Sequence, residues 1–134
     1  MTETRTTTEL NGPVELRVPA DPNMSRVLRL AASGVASLAG FNVDEIEDIK
    51  IAVSEVLIAL VEHGQGNAVD IRLVVEADSF TVNGATMVDQ FDADHPDLQL
   101  CRTVLAGVCT EHSITLVDGQ ARITALLRRP FPGA

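Results

Sequence analysis

One stretch of this chain combines a helical apolar pattern with groups able to do chemistry: Ile51-Ala-Val-Ser-Glu-Val-Leu-Ile-Ala-Leu-Val-Glu-His-Gly64. Between Ile51 and Val61 only Ser54 and Glu55 are polar. An ionised carboxylate among packed side chains is costly unless it is paired or opens onto a site. Positions 55, 59 and 63 are spaced i, i+4, i+8, which puts Glu55, Ala59 and His63 on one ridge of a helix. The other reactive groups are scattered. His63, His95 and His112 share no metal-ligand spacing and suit surface or capping positions. Cys101 and Cys109 follow a helical pattern with a rise of about 12 Å between them, too far for a disulfide. They read as thiols on the apolar face of a helix. No Ser-His-Asp or Cys-His arrangement follows from the spacing.

The elements that must position Glu55 are legible from periodicity and caps. Val14 to Val18 alternates as a half-buried strand. Asp21-Pro22 supplies an N-cap and a proline for the first turn of a helix. Met24, Val27, Leu28, Ala31, Val35 and Leu38 then recur at helical spacing up to Gly40. Asn42 and Glu45 make a capping box for a second helix, with Ile46, Ile49, Val53, Val56 and Leu60 on one face and its end near His63-Gly64. Val69 to Val75 and Phe80 to Val82 read as antiparallel strands around Ala77-Asp78-Ser79. Asn83-Gly84 reads as a turn, opening an irregular acidic segment to Pro96. A third helix carries Leu98, Cys101, Leu105 and Val108. Ile114 to Val117 and Arg122 to Leu127 form a closing hairpin. Strands grouped as hairpins favour an α+β fold, a two-layer α/β sandwich with a mixed sheet covered on one face by three helices. The expected organisation is a flexible tail over 1–12, one domain over 13–128 and a C-terminal tail over 129–134.

Composition narrows the function. A chain of 134 residues can bury a genuine core, and its apolar stretches fall far short of the roughly 20 residues needed to span a bilayer. The N-terminal stretch lacks the apolar segment of a signal peptide. A formal charge of −9 argues against nucleic acid, and with no Trp or Tyr there is no base-stacking platform. The expectation is a cytoplasmic protein that contacts neither nucleic acid nor membrane.

Asp48-Ile-Lys-Ile-Ala-Val-Ser-Glu55, followed by His63-Gly64, resembles the hallmark helix of the anti-sigma factor serine kinases of the RsbW and SpoIIAB type, within the GHKL (histidine-kinase-like, Bergerat) ATPase superfamily. Asp21-Pro-Asn-Met-Ser-Arg-Val27 resembles the start of that family's first helix, and the element order is similar from about Pro13 to Leu127. The resemblance implies that the ridge of Glu55, Ala59 and His63 lines a nucleotide pocket. In it Glu55 holds the place of the general base, and Ala59 the place of an Asn whose carbonyl oxygen binds Mg²⁺. A methyl group cannot coordinate a metal. Glu55 therefore reads either as a vestigial base or as a carboxylate with a local partner at a helix interface.

Two further motifs of the family are altered. Its adenine-reading Asp-x-Gly-x-Gly loop corresponds to Phe80-Thr-Val-Asn-Gly-Ala-Thr-Met-Val-Asp89, where Asn83 or Gly84 stands in for the Asp according to register. Its phosphate-cradling Gly-x-Gly-Leu corresponds to His95-Pro-Asp-Leu98, where Asp97 would repel phosphate but suits an N-cap. The family's first helix also carries an Arg that contacts partner proteins. Arg26 matches it, and Arg29, one turn on, is an equal candidate; both could equally be solvated helix charges.

The resemblance thus implies a homodimeric regulatory protein. It would sequester a sigma factor, a STAS-type antagonist, or both, without catalysis and without a cofactor. The alternative is an active serine kinase that uses ATP and Mg²⁺ to phosphorylate a STAS-domain antagonist.

Overall fold

The computed structural model describes residues 10–129. Most of the two expected tails, residues 1–9 and 130–134, lies outside them. The chain runs β1 (Val14–Val18), α1 (Ser25–Leu38), α2 (Val43–His63), β2 (Val69–Glu76), β3 (Ser79–Met87), α3 (Gln99–Val108), β4 (Glu111–Val117) and β5 (Gln120–Arg128). Single 3-10 turns, Pro22–Met24 and Pro96–Leu98, lead into α1 and α3. The caps that lead into α1 and α2 form as the sequence predicts. Asp21 accepts from Asn23 N–H at 2.8 Å, and Asn42 and Glu45 exchange side-chain-to-backbone bonds of 2.8 Å each.

The sheet order is β1-β2-β3-β5-β4, and every neighbouring pair is antiparallel. The α+β sandwich is therefore as expected, but the sheet is not mixed. β3 and β4 run in the same direction, as the connection through α3 suggests, yet β5 returns between them and pairs with both. Helices cover one face. Ile49, Val53, Val56, Leu57 and Leu60 of α2 pack with Ile71, Leu73, Phe80, Val82, Ile123 and Ala125 of the sheet in one buried cluster. Among the described residues no helix is long and apolar enough to cross a membrane.

Three expectations change on packing. The inward stripe of α1 is Leu28, Ala32, Val35 and Ala36, while Val27 and Leu38 face outward; the alanines let α1 and α2 approach closely. β3 does not stop at a turn but runs through Asn83-Gly84 to Met87, paired on both sides. Arg129 is only 7% exposed. Its guanidinium carbon lies 3.6 Å from the centre of the Phe41 ring, which meets Phe80 edge-on at 5.8 Å. This residue of the expected C-terminal tail is thus a buried cation held by an aromatic face.

Candidate functional site

The Asn42 capping box fixes the start of α2, and its long apolar face seats it on the sheet, so the ridge of Glu55, Ala59 and His63 forms as its spacing requires. Among the described residues, Glu55 and His63 line different cavities and Ala59 lines neither of them. Ala59, at the midpoint, is 4% exposed and belongs to the core.

On one side of Ala59, Glu55 is half-buried and opens onto a cavity of about 440 Å³ with Arg29, Glu47, Lys50, Ile51 and Ser54. Burial, and secondarily the negative charge of Glu62, pushes its carboxyl above the ordinary carboxylate value. α3 lies against this part of α2, with Cys101 Sγ 4.0 Å from the Glu55 carbonyl oxygen. Burial also raises the Cys101 thiol to about 11 and the Cys109 thiol to about 12, each helped by a nearby carboxylate, Glu55 and Asp48 respectively. Both sulfurs are thus neutral and poorly nucleophilic near pH 7.

On the other side, His63 lies over His95, ring centres 5.5 Å apart, in a cavity of about 410 Å³ with Gln65, Gln90, Phe91 and Asp92. The segment between β3 and α3 is held closed over this end of α2. Gln65, at φ +61°, accepts from Asp89 N–H at 2.6 Å and donates to Gln90 O. Asn67 donates to Met87 O at 2.7 Å, and Arg102 donates to Ala93 O. Val88 is buried, and its N–H reaches Gly119 O at 3.0 Å. Neither glutamine nor asparagine here was singled out by sequence. No local signal marks them, since the backbone they bind is remote in the chain.

β3 corrects the reading of its motif. Side chains alternate across a strand, and Asn83 points to the uncovered face, where its Oδ1 accepts from Thr124 Oγ1 at 2.9 Å. It lines an open concavity of about 580 Å³ with Asp70, Arg72, Ala85 and Arg122, on the opposite side of the sheet from Glu55. Asn83 cannot read a base bound beside α2. The residues that face α2 are Gly84, Thr86 and Val88. Gly84 is needed for close packing: a Cβ there would lie 2.7 Å from Leu60 Cδ1 and closer still to Val56 Cγ1. Thr86, 1% exposed, is the β3 side chain nearest the end of α2, since a Cβ on Gly64 would lie 2.7 Å from its Cγ2. Its hydroxyl donates to Ala68 O at 2.9 Å. Period two counted on from Val82 would have found it, had the strand not been ended early.

Two more assignments move. His95, not Asp97, caps the turn into α3: its Nδ1 accepts from Asp97 N–H at 3.0 Å, with Pro96 in the first position. Asp97 is exposed, 3.8 Å from that nitrogen. Arg29 is turned inward, donating to Ser25 Oγ at 3.1 Å and Ser54 Oγ at 3.2 Å, and so ties α1 to α2. Arg26 stands exposed on the first turn of α1. Among the described residues no three His, Cys, Asp or Glu side chains are grouped as a metal site.

Comparison with known proteins gives one consistent picture. Residues 18–109 match the family model of the histidine kinase-like ATPase domain. The serine-protein kinase RsbW of Bacillus subtilis is 42% identical over 91 residues, 65% of this chain and 57% of that protein. RsbW of Bacillus velezensis is 38% identical over the same shares, and RsbW of Listeria monocytogenes 40% identical over 50% of this chain and 43% of that protein. The match therefore spans about half the length of these relatives. The crystal structure of the RsbU and RsbW domains of a Mycobacterium tuberculosis protein superposes with a TM-score of 0.70 at 19% identity, covering 91% of this chain and 34% of that one. That likeness shows the fold.

Proposed function

Because this chain belongs to the histidine kinase-like ATPase family, with anti-sigma factor kinases of the RsbW type among its relatives, we propose that it is a binding regulator of that kind which has given up catalysis. It would act in the cytoplasm as a single domain, sequestering a sigma factor or a STAS-type antagonist by stoichiometric occlusion. The observation that carries this reading is the ridge of α2. Ala59 stands where the family's metal-binding Asn belongs, and it is buried and lines neither the cavity at Glu55 nor the one at His63.

The residues present fit a magnesium nucleotide poorly. Ala59 offers no ligand atom, the Thr86 hydroxyl is already committed to Ala68 O, and Asp97 would meet a phosphate with like charge. Side chains of the protein itself already bond the backbone N–H groups of Asp89, Asp94 and Asp97 between β3 and α3. The partner surface would be the first turn of α1, where the exposed guanidinium of Arg26 offers planar donors suited to a carboxylate.

One observation favours the kinase alternative. Glu55 keeps its place, half-buried with a raised carboxyl beside Arg29 and Lys50, as a general base would need. Calorimetric titration with ATP, with and without Mg²⁺, separates the two. Absence of binding up to millimolar nucleotide is expected; micromolar, Mg-dependent binding would put the kinase first. Capture of the partner should be lost in Arg26→Glu with the fold intact, and unchanged capture would remove Arg26 from the interface.

A further inference from the structure

The uncovered face of the sheet runs against the charge of the chain. Lys and Arg number 10 and Asp and Glu 19 in the whole sequence, yet Arg17, Arg72 and Arg122 line the concavity of about 580 Å³ on this face with only Glu15 and Asp70 beside them. The register explains its shape. Arg17, Asp70, Ala85 and Arg122 stand in one row across β1, β2, β3 and β5, and Glu15, Arg72, Asn83 and Thr124 in the next. Short side chains at Asn83, Ala85 and Thr124 make the floor of a trough, and the longer arginines make its walls.

The arginines differ in what holds them. Arg17 reaches Asp70 at 3.3 Å and Arg72 reaches Glu15 at 3.6 Å. Both pairs are exposed, so they contribute little in water and exchange partners easily. Arg122 has no carboxylate within ion-pair distance among the described residues. Its Nη2 donates to the neutral Gln120 Oε1 at 2.8 Å. On the floor, Asn83 Oδ1 accepts from Thr124, which leaves the Asn83 NH2 group as a donor to something outside the sheet.

We propose that this trough docks an extended acidic segment of a partner protein, lying across the strands with two carboxylates four residues apart. Arg17 on β1 and Arg122 on β5 are separated by β2 and β3 within one row, a span of about 14 Å. In an extended segment the side chains i and i+4 fall on one side about 13 Å apart, so each guanidinium meets one carboxylate. The residue midway between them comes over Ala85, where the trough has room for it, and the Asn83 NH2 group can donate to a main-chain carbonyl. Asp70 shares Arg17 with the incoming carboxylate, so Arg122 is the stronger anchor and the affinity is modest. The same spacing disfavours a phosphate, which cannot reach both arginines at once. A nucleic acid would bring many phosphates onto a chain of formal charge −9, whereas two carboxylates match the small positive excess of this face. The trough lies across the sheet from Glu55, so the inference depends neither on Arg26 nor on the nucleotide question.

Fluorescence anisotropy of a rhodamine-labelled peptide, Glu-Ser-Ala-Ser-Glu with blocked ends, titrated with the full chain tests it. Half-saturation is expected at about 0.1 mM protein, in keeping with a few exposed charge pairs, and binding should weaken several-fold from about 20 to about 300 mM NaCl. Arg122→Glu should weaken it at least about tenfold by setting like charges together, with the melting temperature unchanged because the side chain is exposed. If Arg122→Glu melts lower, Arg122→Gln decides. Ser37→Glu, on exposed α1, changes the net charge as much as Arg122→Gln and should bind as wild type does. Absence of binding at about 1 mM protein overturns the proposal, as does binding that the Arg122 variants leave unchanged or that Ser37→Glu weakens equally. Equal binding of Glu-Glu-Ser-Ala-Ser would refute the spacing, and Arg122-dependent binding of inorganic phosphate in place of the peptide would make this a phosphate site instead.

Discussion

Restoring the family's asparagine, Ala59→Asn, distinguishes a closed ridge from a pocket that has lost one ligand. The change adds three heavy atoms at a position that is 4% exposed. A buried amide without partners costs about 1–3 kcal/mol, and the loss of alanine's helix propensity adds about 0.6 kcal/mol. Crowding in a packed core adds about 1 kcal/mol or more. The sum is about 3–4 kcal/mol. For a domain of this size, 1 kcal/mol moves the melting temperature by about 4 °C, so the variant should melt about 12–16 °C below wild type.

Differential scanning calorimetry with and without 5 mM Mg-ATP is the assay. A ligand present at 100 times its Kd returns about 2.7 kcal/mol, a recovery of about 11 °C, which is easily seen. No recovery is expected in either protein. Recovery of the variant by Mg-ATP would mean that the introduced amide finds a metal and a nucleotide there. The closed ridge, and the non-catalytic reading that depends on it, would then be wrong. An unchanged melting temperature would equally refute the burial on which the expected loss rests.

Three other perturbations have definite outcomes. The Glu55 carboxyl titrates above its ordinary value of 4.5 in the folded chain, so the native state binds the extra proton and stability falls as pH rises through that window. Glu55→Gln should therefore melt higher than wild type at pH 7, with the gap closing below pH 4.5; a lower-melting variant at pH 7 would refute the burial argument. Gly84→Ala should cost about 1–3 kcal/mol by forcing β3 away from α2, measured by urea denaturation, and a loss below about 0.5 kcal/mol would deny the close approach. Arg129→Ala should lose about 2 kcal/mol of buried cation–π contact with Phe41 in the same assay, whereas no loss would return the residue to a solvated tail.

What the sequence disclosed and what it hid divide along physical lines. Caps and helices were legible because their determinants are local: Asn42 and Glu45 bond each other across three residues. The extent of β3 was not, because Asn-Gly satisfies turn chemistry locally while its real partners lie elsewhere. Asn83 bonds Thr124 across the neighbouring strand, and Gly84 is small to admit Val56 and Leu60. Ending the strand at Val82 lost the alternation, and with it the fact that Thr86 rather than Asn83 faces α2. Arg26 and Arg29 look alike in sequence one turn apart; only the packing of α1 on α2 separates an exposed guanidinium from one tied to Ser25 and Ser54. Size misled in the same way on α1, where Ala32 and Ala36 are the buried positions and Val27 and Leu38 are not.

The ridge of α2 connects these results to function. Its Glu55 end opens beside α1, where Arg29 is bonded to Ser25 and Ser54 and Lys50 to Glu47. Its His63 end lies under a segment whose main chain is bonded by Gln65, Asn67 and Arg102. A nucleotide entering there would have to displace hydrogen bonds that the protein already makes to itself, and would gain no metal ligand from Ala59 in return. Opening that segment costs free energy, whereas docking at the exposed first turn of α1 would leave those bonds in place. On the proposed reading, the same helix would keep a binding surface at one end while its chemistry is shut off at the other. On that reading, the alanine at position 59 and the tight bonding of the β3–α3 segment belong together: with no metal to hold, nothing would oppose closing the loop over α2.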